Sequence, residues 1–224
     1  SPIDLKTGEE TPSPLLIVGD YAYVGSVKPS PPIPPPRAYV GKIDLATYSE
    51  TVDSPLLWNS YYTSSLSAKD GFLYAGSRYD PLRVAKINLS TFTVTTLRYL
   101  SIGATWSSQI VGNNLYVMEG SDRNWMMTKV NLATFTEVGR LETGGPFKAV
   151  YGSVVTPDGL TMYCCCRRNP GLIYEVDIPT YSYKRTLTLP SGSYNPVNMV
   201  IAGDYLFVAL DTSPGGVARI DIGF

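Results

Sequence analysis

The chain of 224 residues contains no histidine at all, and this absence excludes more chemistry than any motif supplies. A Ser-His-Asp or Cys-His nucleophile cannot be assembled, nor a zinc, iron or copper site ligated through imidazole. Cysteine is nearly as scarce. The three thiols stand side by side at Cys164, Cys165 and Cys166, in a stretch that reads as a strand. Neighbouring strand residues point to opposite faces, so these three are poorly placed to bridge one another, and packing is their expected role. Charge is sparse too, at 17% of residues, with 18 basic against 19 acidic side chains and a net charge of -1. So even a balance offers no field for nucleic acid or an anionic membrane. No apolar run approaches the roughly 20 residues of a helical membrane span, so no membrane insertion is expected. Neither a Gly-rich phosphate loop nor a dinucleotide fingerprint appears, and no cofactor or metal is expected. The chain opens at Ser1 without a signal peptide or a starting Met, the form expected of a processed chain.

What is abundant is repetition. A phrase built as hydrophobic, Asp or Asn, hydrophobic, any residue, Thr, aromatic recurs as Ile43-Asp44-Leu45-Ala46-Thr47-Tyr48, Ile87-Asn88-Leu89-Ser90-Thr91-Phe92, Val130-Asn131-Leu132-Ala133-Thr134-Phe135 and Val176-Asp177-Ile178-Pro179-Thr180-Tyr181. Ile220-Asp221-Ile222 closes the chain, and Ile3-Asp4-Leu5-Lys6-Thr7 opens it with a clipped copy. The anchors at 44, 88, 131, 177 and 221 lie 44, 43, 46 and 44 apart, the period of a four-stranded propeller blade. Ahead of each phrase, two apolar stretches flank a tight polar turn, at Gly19-Asp20, Asp70-Gly71, Asn113-Asn114, Asp158-Gly159 and Gly203-Asp204. These residues tolerate the positive φ of two-residue hairpins. Five hairpins imply an all-β, five-bladed β-propeller of four-stranded antiparallel blades in a single domain. The blades are expected at about 15–57, 58–104, 105–146, 147–193 and 194–224 plus 1–14. The last assignment follows because strand C of the fifth blade ends the chain, while the opening phrase leads into an orphan strand. Residues 5–13 would close blade five, within one molecule or, donated to a neighbour, as the joint of a homo-oligomer or filament.

The repeated Asp or Asn sits where strand C turns into strand D and can accept hydrogen bonds from backbone amides and from Thr three residues on. A ring of carboxylate ligands is excluded because two of the five are Asn. Residues shared by every blade serve the fold, so function belongs with residues peculiar to one blade. Pro29 to Pro36 form a low-complexity run ahead of Arg37, expected as a stiff polyproline projection between strands B and C of blade one. Pro32 to Arg37 fits the PxxPxR form of an SH3 ligand, a match common by chance. Asn88-Leu89-Ser90 spells a glycosylation sequon, but it lies inside the fold phrase and reads as turn chemistry.

Leu73-Tyr74-Ala75-Gly76-Ser77 followed by Val84-Ala85-Lys86-Ile87-Asn88-Leu89-Ser90-Thr91-Phe92 resembles the YVTN-type repeat of bacterial and archaeal surface and periplasmic proteins. The resemblance runs along essentially the whole chain and implies a β-propeller outside the cytoplasm, at a cell surface or secreted with its signal already removed. Five units stand here where such propellers commonly have seven.

The loops from D to A and from B to C share one end of the blades, and this end is rich in aromatic and Arg side chains. Trp58, Tyr61, Tyr62, Trp106 and Tyr194 stand at or before strand A; Arg78, Tyr79, Arg123, Trp125, Arg167 and Arg168 come from the B-to-C side. Phe147, Tyr151, Asp80, Arg83, Asp122 and Asn169 join them. Tyr, Trp and Arg contribute much of the binding energy at wet interfaces, so these residues form the candidate binding face for a protein or a glycan. Filling gaps between blades is the competing role for each aromatic singly. Some five-bladed propellers are glycosidases with paired carboxylates. Here Asp53, Asp80, Glu119, Asp122 and Glu142 are the unshared acids, and no spacing selects a pair; solvated loop charge is their expected state. The chain is therefore expected to be a non-enzymatic binding or assembly module, with a strand-exchanged structural subunit and a carbohydrate-active hydrolase as alternatives.

Overall fold

The structure, a computed structural model, describes residues 14–28, 37–57, 62–78, 83–100, 104–120, 125–142 and 150–223. Among them there is strand and turn and no helix. The first sheet comprises β1 (Leu15–Val18), β2 (Tyr21–Lys28), β3 (Arg37–Asp44) and β4 (Ser49–Leu57), hydrogen-bonded in chain order. The second repeats it with β5 (Tyr62–Lys69), β6 (Phe72–Arg78), β7 (Arg83–Asn88) and β8 (Thr93–Tyr99). In the third, β9 (Ala104–Val111), β10 (Asn114–Gly120), β11 (Trp125–Asn131) and β12 (Thr136–Glu142) again lie in order. The fourth holds β13 (Val150–Val155), β14 (Thr161–Cys166), β15 (Leu172–Asp177) and β16 (Ser182–Thr188). The fifth has three strands, β17 (Pro196–Ala202), β18 (Tyr205–Leu210) and β19 (Gly216–Asp221). The closing strand expected from the N-terminal residues lies outside the described residues, as does the polyproline run.

Residues 1–110 with 132–136 form one compact unit, and 111–131 with 137–224 a second. In the first, Leu73, Ala75, Ala85 and Ile87 of the second sheet pack on Tyr23, Ala38 and Val40 of the first. In the second, the cysteines alternate as their strand requires. Cys164 and Cys166 face Met118 and Met127 on one side, and Cys165 faces Leu206 and Val208 on the other. All three are buried and none is in a disulfide.

The repeated phrase performs the turn expected of it. Oδ1 of Asp44 accepts from the amides of Ala46 (2.8 Å) and Thr47 (2.9 Å), and Oδ1 of Asn88 accepts from those of Ser90 (2.9 Å) and Thr91 (3.1 Å). Asp177 accepts from the Thr180 amide at 2.9 Å and from its hydroxyl. The Thr then pairs with a hydroxyl two residues on, as in Thr91 with Thr93 at 2.8 Å and Thr134 with Thr136 at 2.7 Å.

Two hairpins depart from expectation. In the third sheet Gly112, at φ +55° like Gly203 and within two degrees of Gly19, begins the turn, and the loop is Gly112-Asn113 rather than Asn113-Asn114; Asn114 already pairs with Asn131 in the ladder.

 In the fourth, Thr156 to Leu160 make a longer loop: the Thr156 hydroxyl accepts from the Thr161 amide (3.0 Å), and Asp158 accepts from the Leu160 amide (2.9 Å). Pro157 has no amide to donate, so the side chains of Thr156 and Asp158 take over the pairing that a two-residue turn would supply.

Three sheets are joined to the next by one repeated contact. The aromatic after the phrase's Thr adopts left-handed backbone, with φ of 51° at Phe92, 53° at Phe135 and 51° at Tyr181. That twist turns each ring onto the preceding sheet. Phe92 meets Tyr23 (5.9 Å between centroids), Phe135 meets Tyr74 (5.9 Å) and Tyr181 meets Tyr116 (5.8 Å). In two of these contacts the lysine opposite the Tyr in the ladder lies over both rings: Lys86 is 6.0 Å from Tyr74 and 5.9 Å from Phe135 while donating to the Leu132 carbonyl at 3.2 Å, and Lys129 is 5.7 Å from Tyr116 and 5.4 Å from Tyr181.

Candidate functional site

In the second unit, the loops after β14, before β17 and after β18 converge at one end of the fourth and fifth sheets. Their meeting is fixed by Asn195, which sits at a φ of +52°, a conformation Asn tolerates better than most residues. Its amide donates to the Arg168 carbonyl (3.0 Å), its carbonyl accepts from the Asp211 amide (2.9 Å), and its side chain donates to the Asp211 carbonyl (3.4 Å). The Gly171 amide adds a bond to the Ser193 carbonyl at 2.9 Å. A Cβ at Gly171 would stand 2.7 Å from Leu189 Cδ1 and 2.8 Å from Pro196 Cδ, so the first of these loops is closely backed.

Arg167 is held on this frame by two partners. Its guanidinium pairs with the Asp211 carboxylate and lies over the Tyr151 ring, 5.4 Å from the centroid. The fork can thus point in few directions, and its remaining N–H groups are oriented before any partner arrives. Arg168 follows it in the chain and Tyr194 precedes Asn195, each half-buried. The Arg168 charge acts on the buried Tyr174, whose hydroxyl is pushed up chiefly by burial, with Cys166 adding to the effect and Arg168 opposing it. What this surface offers is oriented cationic and aromatic groups on a rigid loop frame.

Of the residues expected at the binding face, the structure brings Arg167 onto Tyr151, and the Asn195 amide ties the loop that carries Tyr194 to Arg168. Tyr62 begins β5, half-buried and paired in register with Arg78 at the end of β6. Trp106 lies within β9 and is half-buried. Trp125 is the first residue of β11, across the ladder from Gly120. Trp58, Tyr61, Tyr79 and Arg123 lie outside the described residues, together with Asp80, Asp122 and Phe147. Two residues need correction: Arg83, expected from the B-to-C loop of the binding face, is the buried first residue of β7, and Glu119, expected as a solvated loop charge, is buried in β10. Asp211 and Asn195 are additions. The signal that could have found Asp211 is the period itself, because Arg167 and Asp211 are 44 residues apart, one repeat. Among the described residues no three His, Cys, Asp or Glu side chains are placed to hold a metal ion.

Five successive antiparallel sheets, each with its strands hydrogen-bonded in chain order and joined by a repeated turn, define the class: the fold is a five-bladed β-propeller. Solved structures share it. Hydrazine synthase of Kuenenia stuttgartiensis is similar with a TM-score of 0.72 at 14% identity over 91% of this chain, and the computationally designed Ika8 protein with 0.69 at 12% over 98%. The β-propeller domain of Cps50 (Swd1) from Myceliophteria thermophila gives 0.68 at 14% over 92%. The chain spans 63%, 61% and 64% of those chains, respectively. At such identity the likeness speaks for fold alone. No family model and no curated protein matches the sequence.

Proposed function

We propose that this propeller is a non-enzymatic scaffold, working outside the cytoplasm, that binds a protein or glycan at a cell or particle surface through Tyr151 near the start of β13 and the loops carrying Arg167, Arg168 and Tyr194. The observation that carries the reading is the Arg167 guanidinium, fixed between Tyr151 and Asp211 on loops tied together by Asn195. Groups oriented before contact lose little freedom on binding, which favours affinity. The arrangement also ranks the two ligand classes. A sugar ring stacks on an open aromatic face, and Arg167 already covers one face of Tyr151, so a protein partner bearing carboxylates suits the surface better. Arg offers such groups two parallel hydrogen bonds.

The test is to screen the immobilised chain against protein and glycan arrays and to repeat any hit with Arg168→Ala and Tyr194→Ala. Each substitution should weaken binding about 10-fold or more, the loss of roughly 1.4 kcal/mol expected of an interface anchor. Circular dichroism and the melting temperature should stay unchanged. Binding that survives in the double variant would place the ligand elsewhere and overturn the assignment.

A further inference from the structure

The first and second sheets pack on one another inside the first compact unit, and they part at the end where their hairpin turns and repeated phrases lie. The opening is a cavity of about 530 Å³, within the roughly 300–1,000 Å³ of small-molecule sites. On one side stand the Gly19-Asp20 turn, Tyr23 and Lys42; on the other stand the Asp70-Gly71 turn and Leu89. Both sides are tied down by backbone bonds. The Leu45 amide donates to the Asp20 carbonyl at 3.0 Å, and the Leu89 amide to the Gly71 carbonyl at 2.9 Å.

The next joint in the same unit shows what this one leaves open. There Lys86 donates to the Leu132 carbonyl at 3.2 Å. Lys42 is the counterpart of Lys86, paired with Tyr23 in the ladder as Lys86 is with Tyr74, and Leu89 holds the place in its phrase that Leu132 holds in the next. The Lys42 ammonium lies 3.9 Å from the Tyr21 centroid, but among the described residues it has no hydrogen-bond acceptor or ion-pair partner, and the Leu89 carbonyl has no donor. The Tyr23 hydroxyl, on a side chain only 2% exposed, has no partner among them either. Asp44 feels the Lys42 charge, yet its Oδ1 is engaged by the amides of Ala46 and Thr47. Asp20 and Asp70, exposed at the two turns, form no ion pair with any described residue. The cavity thus joins an unmatched cation to an unmatched carbonyl and two unmatched carboxylates.

We propose that this cavity binds a free amino acid with an apolar side chain, its carboxylate on the Lys42 ammonium and its ammonium on the Leu89 carbonyl and the carboxylates of Asp20 and Asp70. A zwitterion supplies both kinds of partner at once, and hydrogen bonds between ionised groups are the stronger ones. A guest with a single charge would leave one side unmatched. A sugar suits the cavity less, because Lys42 already covers a face of Tyr21. Val18 and Leu89 also line it, and an apolar side chain would displace water from them. This site is separate from the Arg167 surface and does not rest on that reading.

Titration calorimetry and amide shift mapping with L-leucine provide the test. Leucine should bind with a Kd of about 1 mM or tighter and move the amide signals of Asp20, Gly71 and Leu89. Leucinamide lacks the carboxylate and N-acetyl-leucine lacks the ammonium, so each should bind at least about 10-fold more weakly. Lys42→Met keeps the apolar stem and removes the charge. It should lower leucine to the level of leucinamide while leaving leucinamide unchanged, an outcome that a general loss of structure would not produce. The paired variant Asp20→Asn, Asp70→Asn should shift leucine toward the level of N-acetyl-leucine. The ligand series on the unaltered chain decides the matter even where a variant fails to fold. No leucine binding up to about 10 mM, shifts confined to other residues, or leucinamide binding as tightly as leucine overturns the inference. A folded Lys42→Met chain that keeps the full preference for leucine overturns it equally.

Discussion

Phe92, Phe135 and Tyr181 each accept left-handed backbone, a strained state for a side chain of that size, because the ring is then delivered into an apolar slot on the neighbouring sheet. Burial of an aromatic outweighs the backbone cost. Replacing Phe92 by Ala should therefore destabilise the first unit by about 3–5 kcal/mol, read as a lower denaturant midpoint. A loss below about 1 kcal/mol would show that the ring is dispensable. Asp44 and Asp177 act at the same turns through charge. The carboxyl of Asp44 is held below its ordinary value first by the Thr47 amide, and that of Asp177 first by the Thr180 hydroxyl and then its amide. A carboxyl depressed in the folded state contributes stability that is present above the unfolded value of about 3.9 and is lost as pH falls through the folded value. Stability should thus decline in acid below about pH 4, and Asp177→Asn should reduce that dependence while keeping the turn, since Asn88 and its amide bonds show that Asn can serve. An unaltered acid profile in that variant would remove Asp177 from the account.

Between elements, β13 approaches the backbone of β17 closely. A Cβ on Gly152 would lie 3.0 Å from the Asn198 Cα and 3.0 Å from the Val197 carbonyl oxygen, both backbone atoms. Gly152→Ala should accordingly cost about 1–3 kcal/mol, the range for overpacking, and show in a calorimetric scan. Gly139 makes a useful control, because the nearest atom there is a Tyr181 ring carbon at 3.1 Å, on a side chain that can move more readily than a strand. Equal effects at both positions would contradict this ranking. The same local-versus-distant distinction explains what could be read in the chain. The turn at Asp44 and Asn88 was legible because every partner lies within three residues. The third hairpin was read one residue late because Gly112, Asn113 and Asn114 all suit a turn, and only the pairing of Asn114 with Asn131 decides the register. The sequence offers Tyr151 and Arg167 as candidates for a loop face, but not the particular triplet Tyr151, Arg167 and Asp211. Their contact depends on how two sheets pack, which no local propensity contains.

At the scale of the whole molecule, the cysteines report on how the second unit opens. They face both sides of the fourth sheet, Cys164 and Cys166 toward the third and Cys165 toward the fifth, so exposing all three requires both packings to open. Burial adds a chemical block to the steric one: it disfavours the thiolate, pushing Cys165 up to about 12 and raising Cys164 further in the same direction. The thiolate is the nucleophile, so native chains at pH 8 should resist iodoacetamide for as long as the sheets stay packed. Repeat folds can open one unit at a time, and the label distribution separates that behaviour from cooperative opening. If the sheets open together, mass spectrometry should show unmodified and triply modified chains with little between them, and the labelled fraction should follow loss of structure. If the fifth sheet peels away first, a singly modified species carrying its label at Cys165 should accumulate before the others. Rapid labelling of all three thiols in the folded chain would contradict the burial on which both outcomes depend.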